Sequence, residues 1–577
     1  ILRWNRPPAS LPLLWAVNLE GINYQVRQFN LPAGLPPGYH RFVLELSGHC
    51  HEAVIIAAPG RSYSLAANEN SKLWGCFLPL YALHSRQSWG AGDFGDLGVL
   101  LDWLHGLGGK LVGTLPLLAA FLDEPFAPSP YEPVSRLFWN EFYLDVSQVE
   151  ELQISPQARE LINSPSLQQE IAALRSAPLV DYRRGMALKR KVLEQCAAAF
   201  FAAAGKRQAA LQQWLTANPA ARNYAQFRAT TEQQCCTWPY WPERMREGNL
   251  RQGDYSPEVV RYHLYVQWLV QQQLQKISAR ARQKGQRLYL DYPLGVHCCG
   301  YDVWWERRTF VLTASGGSPP DAFFTGGQDW GIAPMHPQRL REQGYRYFIA
   351  SIQNHLRYAG ALRLDHIMGL HHLYWIPRGL KASEGVYVRY HAEELYAILC
   401  LESWRHQALL VGEDLGTVPA YIRKVMARHR IKRMYVLPYE YSGQPRQALR
   451  PIEAETLVCL NTHDMPPFAA SWRQKSKLEK AVLALFLYRQ GQLRTATTEV
   501  KEVTRACLKY LAASPANILL VNLEDLWQEM EPQNVPGTSA EARPNWRRKA
   551  RYALEEFSTQ SELLQTLQEL NRLRNNN

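Results

Sequence analysis

Eight short runs, apolar at most positions, recur from Trp74 onward, at 76–80, 110–117, 287–294, 361–367, 409–416, 433–439, 457–464 and 517–525. Many end in polar residues or Gly/Pro and lead into segments whose apolar positions recur at helical spacing. A strand buried on both faces reads as a continuous apolar run, and eight such strands alternating with helices make a parallel barrel. The predicted fold is therefore α/β, a (β/α)8 TIM barrel over residues 66–577. In that architecture functional side chains gather at the C-terminal ends of the strands.

The spacing is uneven. Roughly 170 residues separate the second run from the third, and 166–175, 187–204 and 261–275 are rich in Leu, Ala, Gln, Lys and Arg at helical spacing. They predict a helical insertion over about 118–285. Residues 1–65 differ again. Alternating stretches around 24–29, 40–46 and 53–57, separated by turns such as LPAGLPPGYH, predict a small β-sandwich-like domain. No period of 20 to 50 residues repeats, which argues against solenoids and propellers.

Composition narrows the class. Of the 577 residues, 46% are hydrophobic and 20% charged, ordinary values for a folded globular protein. The apolar stretches, Leu97 to Leu101 among them, stop well short of a membrane span. The chain begins at Ile1 without an initiator Met, and Arg3, Arg6 and two prolines interrupt its first residues. No secretion signal is therefore expected, and the first domain is expected to be truncated from a longer protein. The net charge of +12 raises a nucleic-acid reading, but Lys and Arg are dispersed and cluster only briefly, as at Arg547-Arg548-Lys549. Neither a nucleic-acid nor a membrane partner is expected, and no obligate protein partner. The ten cysteines include the pairs Cys235-Cys236 and Cys298-Cys299 but no CxxC spacing, so free thiols and a cytoplasmic location are expected. The 18 Trp and 29 Tyr offer flat faces that stack on sugar rings, although most aromatics in any chain are core.

Three runs carry carboxylates at their ends. ALRLDHI sets Arg363 and Asp365 two apart, on one face of a strand. The guanidinium favours the charged carboxylate that a nucleophile requires, and a structural Arg–Asp pair is the competing reading. VGEDLG places Glu413 between glycines, where a partly apolar site would raise its pKa and let it protonate a leaving oxygen; a helix N-cap from Asp414 is compatible with that. LVCLNTHD ends on His463-Asp464, more often a satisfied hydrogen-bonded pair. Their combination at strands four, five and seven of one barrel is what changes the picture. Cleavage of a glycosidic bond needs an acid and a second carboxylate, which in retaining enzymes lie roughly 5–5.5 Å apart. No GxSxG elbow and no P-loop accompany them.

These three motifs resemble the α-amylase clan, and within it the 4-α-glucanotransferases, or amylomaltases, of glycoside hydrolase family 77. SWGAGDFGDL (88–97), SPYEPVSRLFWNEFYLD (129–145), GSPPDAFFTGGQDWG (317–331) and PGTSAEARPNWRR (536–548) are similar to further family segments, so the resemblance covers about 74–557. The β-rich start resembles the extra region of the bacterial maltose-utilisation members. The resemblance implies that Asp365 is the nucleophile, Glu413 the acid/base and Asp464 the transition-state stabiliser. It also implies that Ser129 and Tyr131 line the donor side of the cleft, that Asp321, Gln328 and Trp330 contact sugars near the cleavage point, and that His366 and His463 bond hydroxyls beside the nucleophile. Asp291 and Arg363 complete the expected substrate-binding set, with core packing the bland reading for Trp330 and Tyr131.

The third run departs from the family pattern. It reads LYLDYPLGVHCCGYDVWW, whereas members often carry DLP and later a small or polar pair before D-x-W; Asp291, Asp302 and Trp304 match, and the Cys298-Cys299 pair does not. Asp291 also lacks the downstream Asn-His that accompanies calcium in α-amylases, so neither metal nor cofactor is expected. The implied activity is transfer of an α-1,4-glucan segment between maltodextrins, or from a maltodextrin to glucose, through a covalent glycosyl-enzyme. A retaining α-1,4-glucan hydrolase is the chemical alternative, and a catalytically silent glucan-binding protein the alternative of another class.

Overall fold

A computed structural model describes residues 8–31, 34–46, 49–65, 72–203, 205–321, 324–444, 446–538 and 542–575. Ile1, the expected boundary at 65/66, Ala204 and parts of the motifs at 31–40, 317–331 and 536–548 lie outside these residues.

The eight apolar runs form one parallel sheet: β1 (Leu73–Phe77), β2 (Leu111–Gly113), β3 (Arg287–Tyr292), β4 (Ala361–Leu364), β5 (Leu409–Gly412), β6 (Arg433–Val436), β7 (Thr456–Cys459) and β8 (Ile518–Asn522). Neighbours run β5-β4-β3-β2-β1-β8-β7-β6. A parallel bridge between Val411 and Lys432 joins the two ends, so the barrel closes. Its interior is packed by one apolar cluster that includes Leu73, Leu111, Tyr289, Ala361, Val411, Met434, Leu457 and Ile518. The interior is thus a filled core, and only the strand ends are free for chemistry. The (β/α)8 fold is as predicted.

Between β2 and β3 the chain forms the helical insertion. Three Ser-Pro pairs open helices there: Ser155, Ser164 and Ser256 each accept a backbone N–H with Pro in the first turn. The hydroxyl satisfies an orphan donor, and proline at that position loses nothing because its missing N–H has no partner in the first turn anyway. Two of the stretches read as helical lie in Pro165–Ser176 and Pro257–Gln283, and the third lies in Tyr182–Ala202 as far as Ala202, short of its expected end at 204.

The N-terminal region is two antiparallel hairpins, Leu13–Leu19 with Ile22–Arg27 and Gly38–Leu46 with His49–Ala57. Glu20 and Gly21 turn the first with φ of 50° and 81°, the left-handed geometry a two-residue hairpin loop needs. Strand Leu13–Leu19 is exposed along most of its length, so no alternation marks it in the sequence. The second hairpin docks on helix Ala392–His406, where Tyr39 donates to Glu402 at 2.7 Å and Arg405 lies over the Tyr39 ring.

A second sheet was not anticipated. Ala314–Ser318, Gln328–Ile332, His372–Pro377 and Val386–Arg389 pair antiparallel in segments that follow β3 and β4. It carries Gln328 and Trp330.

Candidate active site

Parallel register places Arg363 of β4 directly beside Asp291 of β3. The Arg363 Nη1 donates to both Asp291 oxygens at 2.8 Å and lies 3.1 Å from Asp365 Oδ1. Arg363 and Asp291 are buried, while the Asp365 side chain keeps 22% exposure. Asp365 is the first residue after β4, and its N–H still bonds Tyr292 at 3.1 Å. The side chain therefore stands at the barrel mouth with its backbone held by the sheet.

Glu413 is likewise the first residue after β5. Its two oxygens accept backbone N–H groups, from His366 at 3.0 Å and Leu415 at 2.7 Å. His366 reaches that position by adopting left-handed backbone, φ 47°, sparsely populated for a residue with a Cβ. The chain bends just after Asp365 so that its next amide points at Glu413.

Asp464 lies in the loop beyond β7, which ends at Cys459 rather than continuing through the whole apolar run. Asn534 donates to its Oδ1 at 2.7 Å. His463 Nε2 lies 3.1 Å from Oδ2. Tyr131 stacks on His463 with centroids 4.9 Å apart and donates to Asp291 at 2.6 Å. One chain of contacts therefore runs from Asp464 through His463, Tyr131, Asp291 and Arg363 to Asp365.

The three carboxyls differ in proton affinity. Burial pushes Glu413 up to about 7, with Asp365 adding to the push and Arg363 opposing it. Burial also raises Asp365, to about 6, because the pull of Arg363 is outweighed once Asp291 and Asp464 are added. The arginine effect expected from the sequence is present but does not decide the outcome, since its guanidinium is shared with Asp291. Burial would raise Asp464 as well, but His463 and Asn534 hold it down at about 2. Near neutral pH the site thus contains one carboxyl poised to carry a proton and two that are mostly ionised, the division of labour that acid-assisted displacement requires.

A cavity lined by Tyr292, Leu294, Ile332, Met335 and Tyr390 opens on Asp365 and His366. Trp330 is half-buried at its side, edge-on to the His366 ring at 5.2 Å and donating to Gln328 at 2.8 Å. Burial lowers His366 to about 4, so its ring is neutral. Ser129 accepts from the Tyr131 N–H at 3.3 Å and shapes the turn that presents that ring. Asp321 is exposed and accepts from Phe324 N–H at 2.6 Å.

Other residues surround the carboxylates without having been singled out in the sequence. Asn534 is one. Trp546 packs its ring near Tyr131 and His463, at 5.6 and 5.8 Å. The half-exposed Tyr439, just past β6, has its hydroxyl pKa raised by burial and by the charges of Glu413 and Asp464. Asn534 shortly precedes the segment PGTSAEARPNWRR and Trp546 lies within it, and that segment is the signal the sequence offers. Asp302 and Trp304 prove architectural: Asp302 accepts from Ser135, the Arg136 N–H and Tyr347 and so pins the segment carrying Tyr131, while Trp304 is fully buried.

Comparison with known proteins supplies the context for this geometry. A family model described as 4-alpha-glucanotransferase matches residues 78–555, and one described as the MalQ N-terminal beta sandwich domain matches residues 5–59. A 4-alpha-glucanotransferase of Mycobacterium tuberculosis is 34% identical over 576 residues, covering 92% of this chain and 78% of the relative. One of Haemophilus influenzae is 29% identical, covering 92% and 83%. Among solved structures, amylomaltase from Corynebacterium glutamicum superposes with a TM-score of 0.83 at 24% identity, covering 99% of this chain and 84% of that one. Amylomaltase from Streptococcus agalactiae in complex with acarbose gives 0.75 at 21%, covering 87% and 99%.

Proposed function

This chain belongs to the 4-alpha-glucanotransferase family of glycoside hydrolase family 77, and from that premise we propose how its own residues carry out transfer between α-1,4-glucans. A maltodextrin lies across the barrel mouth. Glu413 donates its proton to the glycosidic oxygen as Asp365 attacks the anomeric carbon, so the C–O bond breaks, the reducing-end fragment leaves with a free 4-hydroxyl, and the donor segment becomes an ester of Asp365. Glu413 is then a base. It removes the proton from the 4-hydroxyl of an acceptor maltodextrin or glucose, whose oxygen displaces Asp365 and restores the α linkage. Asp464, held ionised and oriented by Asn534, binds hydroxyls of the distorted sugar more tightly in the oxocarbenium-like transition state than in the ground state.

The observation that carries this reading is the tie between the two reacting groups, with Glu413 bonded to the amide that follows Asp365. In the same reading Tyr131, with Ser129 setting its turn, and Trp330, with Gln328 steadying its indole, present ring faces to sugars. His366 and His463 bond hydroxyls beside Asp365, Asp321 contacts a sugar from the cavity rim, and Arg363 with Asp291 holds the nucleophile in place. All ten cysteines are free, which suits a reducing compartment such as the cytoplasm, and no helix among the described residues is long and apolar enough to cross a membrane.

Incubation with maltotriose followed by chromatography tests transfer directly. Glucose together with maltodextrins longer than the substrate is the expected pattern; maltose and glucose alone would mean that water, not a glucan, takes the second step.

A further inference from the structure

The loop after β3 holds a feature that the glucan chemistry does not use. Among the described residues, His297, Cys298 and Cys299 form the group whose potential metal-donor atoms all lie within 4.8 Å of one another. The two thiol sulfurs are 3.8 Å apart. Two sulfurs bound to one tetrahedral Zn2+ at about 2.3 Å each are separated by about 3.8 Å, so the pair already stands at chelating distance. His297 Nδ1 accepts the Cys299 N–H at 3.0 Å. That bond fixes the neutral tautomer with its lone pair on Nδ1, so the ring must exchange the Cys299 N–H for the cation in order to ligate through that nitrogen.

The donor set selects the class of cation. Two thiols and an imidazole suit zinc and other thiophilic ions, whereas magnesium and calcium want oxygen. Three protein donors leave a fourth position for water. The surroundings are ordered by backbone bonds: His297 N–H donates to Pro133 at 2.9 Å, Gly300 N–H to His297 at 2.8 Å, and His297 bridges Ile332. Pro133 follows Tyr131 closely in sequence, and Ile332 ends the strand that carries Gln328 and Trp330.

We propose that His297, Cys298 and Cys299 form a binding site for a single thiophilic cation of the zinc class, which fastens the β3 loop between the segment bearing Tyr131 and the strand bearing Trp330.

The test uses the full chain, reduced with a phosphine, and Co2+ as a spectroscopic stand-in for Zn2+. Expected are one Co2+ per chain surviving gel filtration, thiolate-to-cobalt charge-transfer absorption with tetrahedral d–d bands, displacement by Zn2+, and a rise in melting temperature on adding Zn2+. Cys298→Ser and Cys299→Ser should each at least halve the charge-transfer band and the pair together should abolish it, and His297→Gln should weaken binding roughly tenfold or more. Cys50→Ser, at an exposed cysteine of the N-terminal hairpin, should change nothing. Should the serine variants not fold, alkylation of the unaltered chain decides: Zn2+ must protect Cys298 and Cys299 together. Unprotected thiols, absence of the charge-transfer band at stoichiometric Co2+, or the same band in a folded Cys298→Ser/Cys299→Ser variant overturns the site.

Discussion

Glu413 accepts a 3.0 Å hydrogen bond from the backbone N–H of His366. That amide belongs to the residue after Asp365, so the proposed acid and nucleophile are coupled through a single peptide unit and cannot shift independently. The left-handed turn at His366 that creates the bond costs on the order of 1 kcal/mol, and a strain of that kind persists only where surrounding structure enforces it.

The pH dependence comes from the two raised carboxyls. Transfer needs Asp365 ionised and Glu413 protonated, so kcat/KM should fall below about pH 6 and above about pH 7. Because the groups interact, the limbs belong to the pair. In Glu413→Gln, transfer from maltotriose should fall roughly 10²–10⁴-fold, while an α-glycosyl fluoride, whose leaving group needs little protonation, should still glycosylate the enzyme with the alkaline limb gone. Equal losses on both donors would remove Glu413 as the acid. Stability should move in the opposite sense. A carboxyl whose folded pKa exceeds its unfolded value favours folding below the unfolded value and loses that contribution as pH rises through the folded one. Glu413→Gln should therefore melt higher than the unaltered protein at pH 8, with the difference shrinking toward pH 4.

Asn534 should matter to rate rather than to folding. Its amide donates to Asp464 at 2.7 Å, and losing a hydrogen bond to a charged group costs about 1.5–3 kcal/mol, or roughly tenfold to a hundredfold in kcat. Asn534→Ala should show that loss with little change in KM or melting temperature. A destabilised protein with unchanged kcat would make the contact architectural.

Much of the barrel and its carboxylates is legible in the sequence. Strands buried on both faces announce themselves as unbroken apolar runs, and the carboxylates at the ends of β4 and β5 follow from where those runs stop. The Arg363–Asp365 contact follows from strand periodicity, but the competing claim of Asp291 on the same guanidinium arises from register between strands 72 residues apart. The hold of Asn534 on Asp464 spans 70 residues and leaves no local trace. The outer sheet was hidden for another reason: Ala314–Ser318 reads ASGGS, without the β-branched or aromatic residues that mark strands. The adjacent Cys298 and Cys299 stand out in the sequence as a departure from the family pattern, but their proximity to the His297 ring is a property of the loop.

Trp330 separates stacking from core packing. The residue is half-buried, so Trp330→Ala should lower kcat/KM for maltotriose by roughly tenfold to a hundredfold, the value of about 1–3 kcal/mol of ring stacking. Its melting temperature should barely move, whereas emptying a buried Trp site costs about 3–5 kcal/mol. A large stability loss with unchanged kinetics would count against a sugar platform.

The N-terminal hairpins should be dispensable for chemistry. The carboxylates and the residues that hold them lie in or beyond β1, and the docking contact is peripheral, Tyr39 on Glu402. A chain starting at Lys72 should retain transfer from maltotriose while melting lower, because Glu402 loses a buried partner and the contacts of Ser62, Tyr63 and Leu65 with the barrel are lost as well. A folded truncation without transfer would place the hairpins in the catalytic apparatus.

In the proposed mechanism Asp365 carries the glycosyl group between donor and acceptor, and covalent trapping reads that ester out. Glu413→Gln mixed with an α-maltosyl fluoride, without acceptor, should accumulate an adduct in the intact-protein mass spectrum, with the added mass mapping to the peptide containing Asp365. Later addition of azide should release it as the α-glycosyl azide, the product of a second inversion. Labelling of any other residue, or rapid fluoride release with no adduct and direct inversion at the anomeric carbon, would contradict the account.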